Sequence, residues 1–153
     1  MIIREATKED IPRIIVLGKE FAVESQKAHE MSISDEKIKE FANTVVENKF
    51  WTVLVMEVDE KIVGMLIAFY SYIFFSDEVA CQEVVWYVQK GFKDGLELMV
   101  KLEEVALLRR NVKRIVMGYK PDYVDMKNLY ERKGYHLLEC QYIKDIQCQY
   151  SRS

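Results

Sequence analysis

The chain predicts a domain of mixed secondary structure, α+β or α/β, and three observations carry that expectation. Apolar runs of strand length alternate with amphipathic stretches of helical period. Residues 51–75, WTVLVMEVDEKIVGMLIAFYSYIFF, read as a hairpin. Residues 83–110 pass from an apolar strand through a glycine-bearing basic turn, QKGFKDG, into a long amphipathic helix. The expected order is β α α β β β α β α β. One domain, 1–153, covers it, because 153 residues suffice for one core and not comfortably for two.

Each element has a local cause. IIRE at 2–5 reads as a short strand. The helix that follows has Thr7 as N-cap and Asp10 three positions on, a weaker capping box, with Pro12 in the first turns, where its missing N–H costs little. Ile11, Ile14, Ile15, Leu17 and Phe21 form its apolar face. A second helix is capped by Ser34 and has Lys37, Phe41, Val45 and Val46 near its inner side. In the hairpin, Trp51, Val53, Val55 and Glu57 share a face, DEK at 59–61 supplies the turn, and the apolar run 62–70 suggests an interior strand. The strand at 83–88 places Glu83, Val85 and Tyr87 on one face. The helix from about 95 to 110 has Asp94 as N-cap and Leu98, Leu102, Val105 and Ala106 inward, with Met99 and Leu108 on its shoulders. A strand at VKRIVMGY follows, then a short helix, VDMKNLYERK, ending in Gly134 as its C′ residue. YHLLECQYIKDIQ has room for one strand or two.

Composition narrows the function classes. The formal net charge is −3, which gives no global case for nucleic-acid binding. Cys81, Cys140 and Cys148 are odd in number and form no CxxC pair, and with 2 histidines the chain offers little for a metal; none is expected. MIIREATKED has no signal-peptide core, and no apolar run approaches the roughly 20 residues of a membrane span. A cytoplasmic protein without membrane or nucleic-acid partners is expected.

The turn is one of two informative features. Strand, turn and helix in that order can hold phosphate, because the first N–H groups of a helix lack intrahelical partners and the helix dipole favours an anion. Lys90 and Lys93 add charge, while Gly91 and Gly95 allow close approach of the chain. The same arrangement also serves as a plain connection. The other feature is NLYERKGYHLLE, residues 128–139, in which a helix carries a tyrosine, stops at a glycine four residues later, and an aromatic opens the next segment.

LYERKGY at 129–135 resembles the late signature of the GNAT superfamily of acyl-CoA-dependent N-acyltransferases. IREATKEDIPRI resembles the family's opening strand and helix, and EKIVGMLIAFY its second hairpin, so the resemblance runs from Ile3 to about Ile146. It implies a three-layer fold, with a mixed, mostly antiparallel sheet and helices on both faces. It also implies acetyl-CoA as cosubstrate and a small-molecule or peptide amine as acceptor, and raises the expectation of a homodimer. The family's cofactor motif, Gln/Arg-x-x-Gly-x-Gly/Ala, falls on KGFKDG. Lys90 takes the Arg/Gln position, Lys93 the middle glycine and Gly95 the last, so Lys90, Gly91, Phe92, Lys93, Asp94 and Gly95 become cofactor-binding candidates. Many members carry asparagine where this chain has Tyr123, and a small residue where it has Met126; both would line the cofactor arm.

Direct transfer from a thioester to an amine requires a held carbonyl, a proton acceptor, donors for the developing oxyanion and a route for the leaving thiolate. By the resemblance, Tyr130 would protonate the thiolate. Glu83 would accept the amine proton. Backbone N–H groups of Trp86, Tyr87 and Val88 would meet the carbonyl oxygen where the family splays two strands, and Tyr87 would either order a water or pack. His29 lies in a loop that borders the family's acceptor site. FYSYIFF at 69–75 would flank that cleft or form a subunit contact. Alternatives remain: a non-catalytic protein of this fold that binds acyl-CoA or a protein partner, or a nucleotide-binding α/β domain. The latter is disfavoured by the absence of a Walker ending and of GxGxxG.

Overall fold

Strands Ile2–Glu5 (β1), Trp51–Val58 (β2), Lys61–Tyr72 (β3), Val79–Val88 (β4) and Val112–Val116 (β5) form one sheet, in the spatial order of the chain. The first three pairings are antiparallel and β4–β5 is parallel. The helices are Ile11–Gln26 (α1), Asp35–Val45 (α2), Leu96–Leu107 (α3) and Lys127–Arg132 (α4). This computed structural model describes residues 1–26, 32–144 and 146. The chain divides into two compact units, Met1–Gly118 and Tyr119–Ser153.

In the first unit the sheet is covered on both faces. β3 is its centre, buried without a break from Ile62 to Ala68, as the continuous apolar run predicts. Strand alternation sends Val53, Val55, Met65 and Ile67 to one face, where they pack with Ile14 and Leu17 of α1 and Ala42 and Val45 of α2. Leu54, Met56 and Leu66 point to the other face, the side of α3, whose Leu98, Met99 and Leu102 are fully buried. This is the α+β, three-layer arrangement expected, with a mixed and mostly antiparallel sheet.

The caps read from sequence are present. Asp10 accepts the Thr7 N–H at 2.8 Å, and the helix enters through a 3-10 turn at Lys8–Asp10. The same carboxylate is gripped at both oxygens by Arg4, at 2.7 and 3.0 Å, and Arg4 also reaches Glu57 on β2. One guanidinium thus joins β1, β2 and the start of α1. Ser34 accepts the Lys37 N–H at 3.3 Å. The β2–β3 turn has both Asp59 and Glu60 at positive φ, 49° and 60°, the type I′ geometry that matches strand twist even without a glycine.

Several expectations are corrected. Lys37 is exposed and paired with Glu40; Ala42 takes the inward place on α2. Asp94 is not the N-cap of α3. Gly95 is, and Asp94 precedes it in the left-handed region at φ 65°. α3 ends at Leu107, so Leu108 is exposed rather than on a packed shoulder. Residues 135–144 and 146 form no strand with any described residue, and Leu137, Leu138, Tyr142 and Ile143 are exposed. No helix among the described residues is long and apolar enough to cross a membrane.

Candidate active site

The site begins with an irregularity in β4. Ile67 pairs with Val85 and Ala68 with Glu83, so Val84 is an extra residue, a β-bulge. An odd insertion flips the alternation. Glu83 therefore stands on the face of Ala68, while Val85 and Tyr87 stand on the face of Ile67 and Met65, and the expected shared face of the three does not exist. A bulge of one residue leaves no compositional trace, which is why alternation alone misplaced Glu83.

The bulge coincides with a parting of strands. β5 pairs with β4 only from Val79 to Gln82, and the last partners are Gln82 and Val116. Among the described residues β4 has no further strand partner along that edge from Glu83 to Val88. Gln89 donates its N–H to Val63 O at 2.8 Å, on the β3 side. Backbone alternation then turns the N–H groups of Trp86 and Val88 to the opposite edge, which β5 has left. Tyr87 differs from its two neighbours: its N–H faces β3.

Glu83 heads this free edge. It is half-buried, and Oε2 accepts the Gly118 N–H at 3.2 Å. Burial pushes its carboxyl up from the ordinary 4.5 to about 7, against the opposing pull of that single hydrogen bond. A carboxylate poised near neutrality on an open strand edge is suited to take a proton.

Tyr87 turns away from this edge toward α1. Its ring meets Phe21 edge-on at 6.2 Å, and its hydroxyl lies between Glu20 and Glu24, at 3.3 and 3.2 Å. Burial and these two carboxylates raise the phenol well above its usual range. Its side chain packs; it stands at the other face of the sheet from Glu83. Trp86 donates Nε1–H to Gly95 O at 3.2 Å, which ties the strand to the start of α3.

The turn itself divides the labour of its glycines. Gly91 takes φ 90° and has open space where a Cβ would stand, so it serves the backbone bend. Gly95 serves packing: a Cβ there would meet Val88 Cγ2 at 2.9 Å. Lys90, Phe92, Lys93 and Asp94 are all exposed around the bend. α3 starts without a side-chain cap; its Glu97 and Leu98 N–H groups bond to Asp94 O and Gly95 O at 3.0 and 3.2 Å, so the N–H groups suited to an anion are those of the turn before them. The donors and two ammonium groups fit a pyrophosphate; the carboxylates of Asp94 and of Glu97 in the first turn of α3 have the opposite tendency.

The second unit, taken by itself, holds Tyr123, Met126 and Tyr130. Met126 is the N-cap of α4, and its carbonyl accepts the Tyr130 N–H at 2.9 Å. The helix closes in a full Schellman motif. Gly134 N–H bonds to Glu131 O at 3.1 Å, Tyr135 N–H bonds to Tyr130 O at 2.9 Å, and Gly134 takes φ 88°, the role the sequence assigns to it. Tyr130 is buried between Tyr119 and Tyr135, with ring centroids at 6.0 and 5.7 Å. Tyr123 is exposed.

His29 and Cys148 lie outside the described residues. His136 is exposed, and Cys81 is fully buried opposite Tyr70, whose ring carries the Arg109 guanidinium at 3.9 Å. Tyr72, Phe74 and Phe75 are exposed at the end of the β3–β4 hairpin. Sequence reading missed Arg13, Glu20 and Gln89, which prove to be joined. Their only advance signal was a glutamine directly before the turn.

No family model and no curated protein matches the chain. Solved structures do. A possible acetyltransferase from Clostridium difficile superposes with a TM-score of 0.75 at 15% identity, covering 96% of this chain and 98% of that one. A predicted acetyltransferase from Clostridium acetobutylicum, solved with acetyl-CoA, gives 0.74 at 13% identity, covering 94% and 95%. The ribosomal-protein-alanine N-acetyltransferase from Brucella melitensis gives 0.71 at 18% identity, covering 95% and 100%. At these identities the likeness is one of fold, and the chain has the fold of the GNAT acetyltransferases.

Proposed function

We propose that the protein is an N-acetyltransferase that moves an acetyl group from acetyl-CoA directly to a primary amine. The observation that carries this reading is the parting of β5 from β4 directly after Gln82, with Glu83 at the head of the exposed edge. The edge offers N–H donors at Trp86 and Val88, and the turn that follows offers Lys90, Lys93 and its own N–H groups before α3.

Acetyl-CoA, when bound, supplies the activated thioester. Trp86 and Val88 orient the acyl and pantetheine groups by backbone hydrogen bonds. Residues 90–95 hold the pyrophosphate by N–H groups and two ammonium charges, with Tyr123 and Met126 toward the cofactor arm. Glu83 accepts the amine proton, and Tyr130 donates a proton to the departing thiolate. Tyr87 serves packing on the α1 side. The acceptor is a small-molecule or peptide amine, and the protein acts in the cytoplasm, as a homodimer.

The reading is tested by acetyl-CoA consumption with a panel of amines, for the parent protein and for Glu83→Gln and Tyr130→Phe. Turnover with at least one amine, lost about 100-fold or more in Glu83→Gln, supports it. Tight acetyl-CoA binding with no turnover on any amine points instead to the non-catalytic acyl-CoA-binding reading.

A further inference from the structure

Gln89 ends β4 and opens the turn, and both ends of its side-chain amide are engaged by α1. Its Oε1 accepts from Arg13 Nη2 at 2.8 Å, and its Nε2 donates to Glu20 at 2.8 and 3.1 Å. Arg13 also donates Nε–H to Ile62 O at 2.8 Å, at the start of β3. Glu20 and Glu24 flank the Tyr87 hydroxyl, two residues before Gln89. Positions 13, 20 and 24 are spaced by two helical turns and then one, so they share a face of α1. α1 is thereby fastened to the end of β4 along most of its length.

The backbone of the same residue shapes the turn. Gln89 N–H bonds to Val63 O at 2.8 Å, and Gln89 O accepts the Phe92 N–H at 3.3 Å, the bond that folds the chain back toward Gly91. The residue that α1 grips is therefore the residue from which the turn springs. The side-chain amide suits this arrangement because it presents an acceptor to the guanidinium and donors to the carboxylate. A methionine satisfies neither. A glutamate satisfies Arg13 and sets a second carboxylate against Glu20.

We infer that Gln89 is a positioning residue: through Arg13 and Glu20, α1 holds the turn at 89–95 in the geometry that receives a phosphate group. The inference rests on the proposed reading of that turn as a pyrophosphate cradle. It differs from a cofactor contact, since the Gln89 side chain faces α1 and acts through the backbone it carries.

The test compares the parent protein with Gln89→Met, Gln89→Glu and the exchange variant Glu20→Gln/Gln89→Glu. It measures hydrogen exchange at the Phe92 amide in the free protein, the acetyl-CoA Kd by calorimetry, and steady-state kinetics. Gln89→Met is expected to speed Phe92 exchange and raise Kd about tenfold, with the loss falling on KM more than on kcat. Gln89→Glu is expected to do the same, and the exchange variant, which restores donor to acceptor on both sides, to recover most of the affinity. Unchanged exchange and Kd in Gln89→Met, or an exchange variant no better than Gln89→Glu, would overturn the inference. If the parent protein binds no acetyl-CoA, the cradle reading fails by itself. Phe92 exchange then still decides whether α1 positions the turn: faster exchange in Gln89→Met supports it, unchanged exchange overturns it.

Discussion

Glu83 Oε2 accepts the backbone N–H of Gly118 at 3.2 Å, so the carboxylate at the head of the free β4 edge is anchored from just beyond the end of β5. One hydrogen bond does not offset the burial, and the group ionises near pH 7. If Glu83 is the base, kcat/KM for acetyl transfer rises with pH along a single limb centred near 7 and then levels. In Glu83→Gln that limb is absent and the residual rate is lower by about 100-fold or more. A pH–rate profile of both proteins checks this.

The same shift bears on stability. Folding raises the pKa of Glu83, so the native state keeps a proton that the unfolded chain has released. Its contribution is present below pH 4.5 and is lost as pH rises through about 7. Glu83→Gln removes the cost of ionisation and is expected to be more stable than the parent at pH 8, by about 3 kcal/mol, and close to it at pH 4.5. Urea unfolding at the two pH values reads this directly.

Arg4 and Asp10 give the opposite sign. The guanidinium, first, and the Thr7 N–H hold the Asp10 carboxyl below its ordinary 3.8 despite its burial. That contribution is complete above the ordinary pKa and is lost as pH falls through the lowered one. Asp10→Asn is expected to cost about 1–2 kcal/mol at neutral pH, through the lost cap and the weakened ion pair. The deficit shrinks when the unfolding is repeated near pH 2.

Val88 lies between two glycines, and their substitutions are expected to differ. A Cβ at Gly95 meets only Val88 side-chain atoms, the nearer at 2.9 Å. A Cβ at Gly64 meets Val88 Cγ2 at 2.9 Å and also Tyr87 O at 3.2 Å. Gly95→Ala should cost about 1–3 kcal/mol and be largely rescued by Val88→Ala. Gly64→Ala should be rescued less, because the backbone oxygen stays. A double-mutant cycle in thermal unfolding checks the contrast.

These contrasts also show what the sequence reveals and what it hides. The β2–β3 hairpin, the Thr7–Asp10 and Ser34 caps and the Gly134 stop are legible because each depends on neighbours a few residues apart. The β4 bulge is not, because one inserted residue changes every later facing without changing composition. The Arg13–Gln89–Glu20 junction is hidden for another reason: its partners are separated by 76 and 69 positions and meet only when α1 docks on the sheet. The strand expected after Gly134 follows from apolar content, yet a strand needs a partner ladder, and 135–144 have none among the described residues. Of the site, the turn and the tyrosine helix were visible, whereas the face of Glu83 and the strained residue before α3 were not.

That strained residue gives a further prediction. Asp94 occupies φ 65°, a conformation that glycine adopts without cost, and it places a carboxylate beside the uncapped start of α3. Asp94→Gly relieves the backbone and removes a charge that repels phosphate. It is expected to leave stability within about 1 kcal/mol of the parent and to lower the acetyl-CoA Kd several-fold, more at low salt than at high. Calorimetry at two ionic strengths measures it.

The central claim is that the 89–95 turn and the free edge of β4 receive acetyl-CoA. Its most direct test is calorimetric titration of the protein with acetyl-CoA, beside desulfo-CoA and ATP. The account predicts micromolar binding of acetyl-CoA, weakened by Lys93→Glu, with no comparable heat from ATP. Absence of both heat and thermal shift with acetyl-CoA, or binding indifferent to Lys93→Glu, would contradict it and leave the turn a connection between β4 and α3.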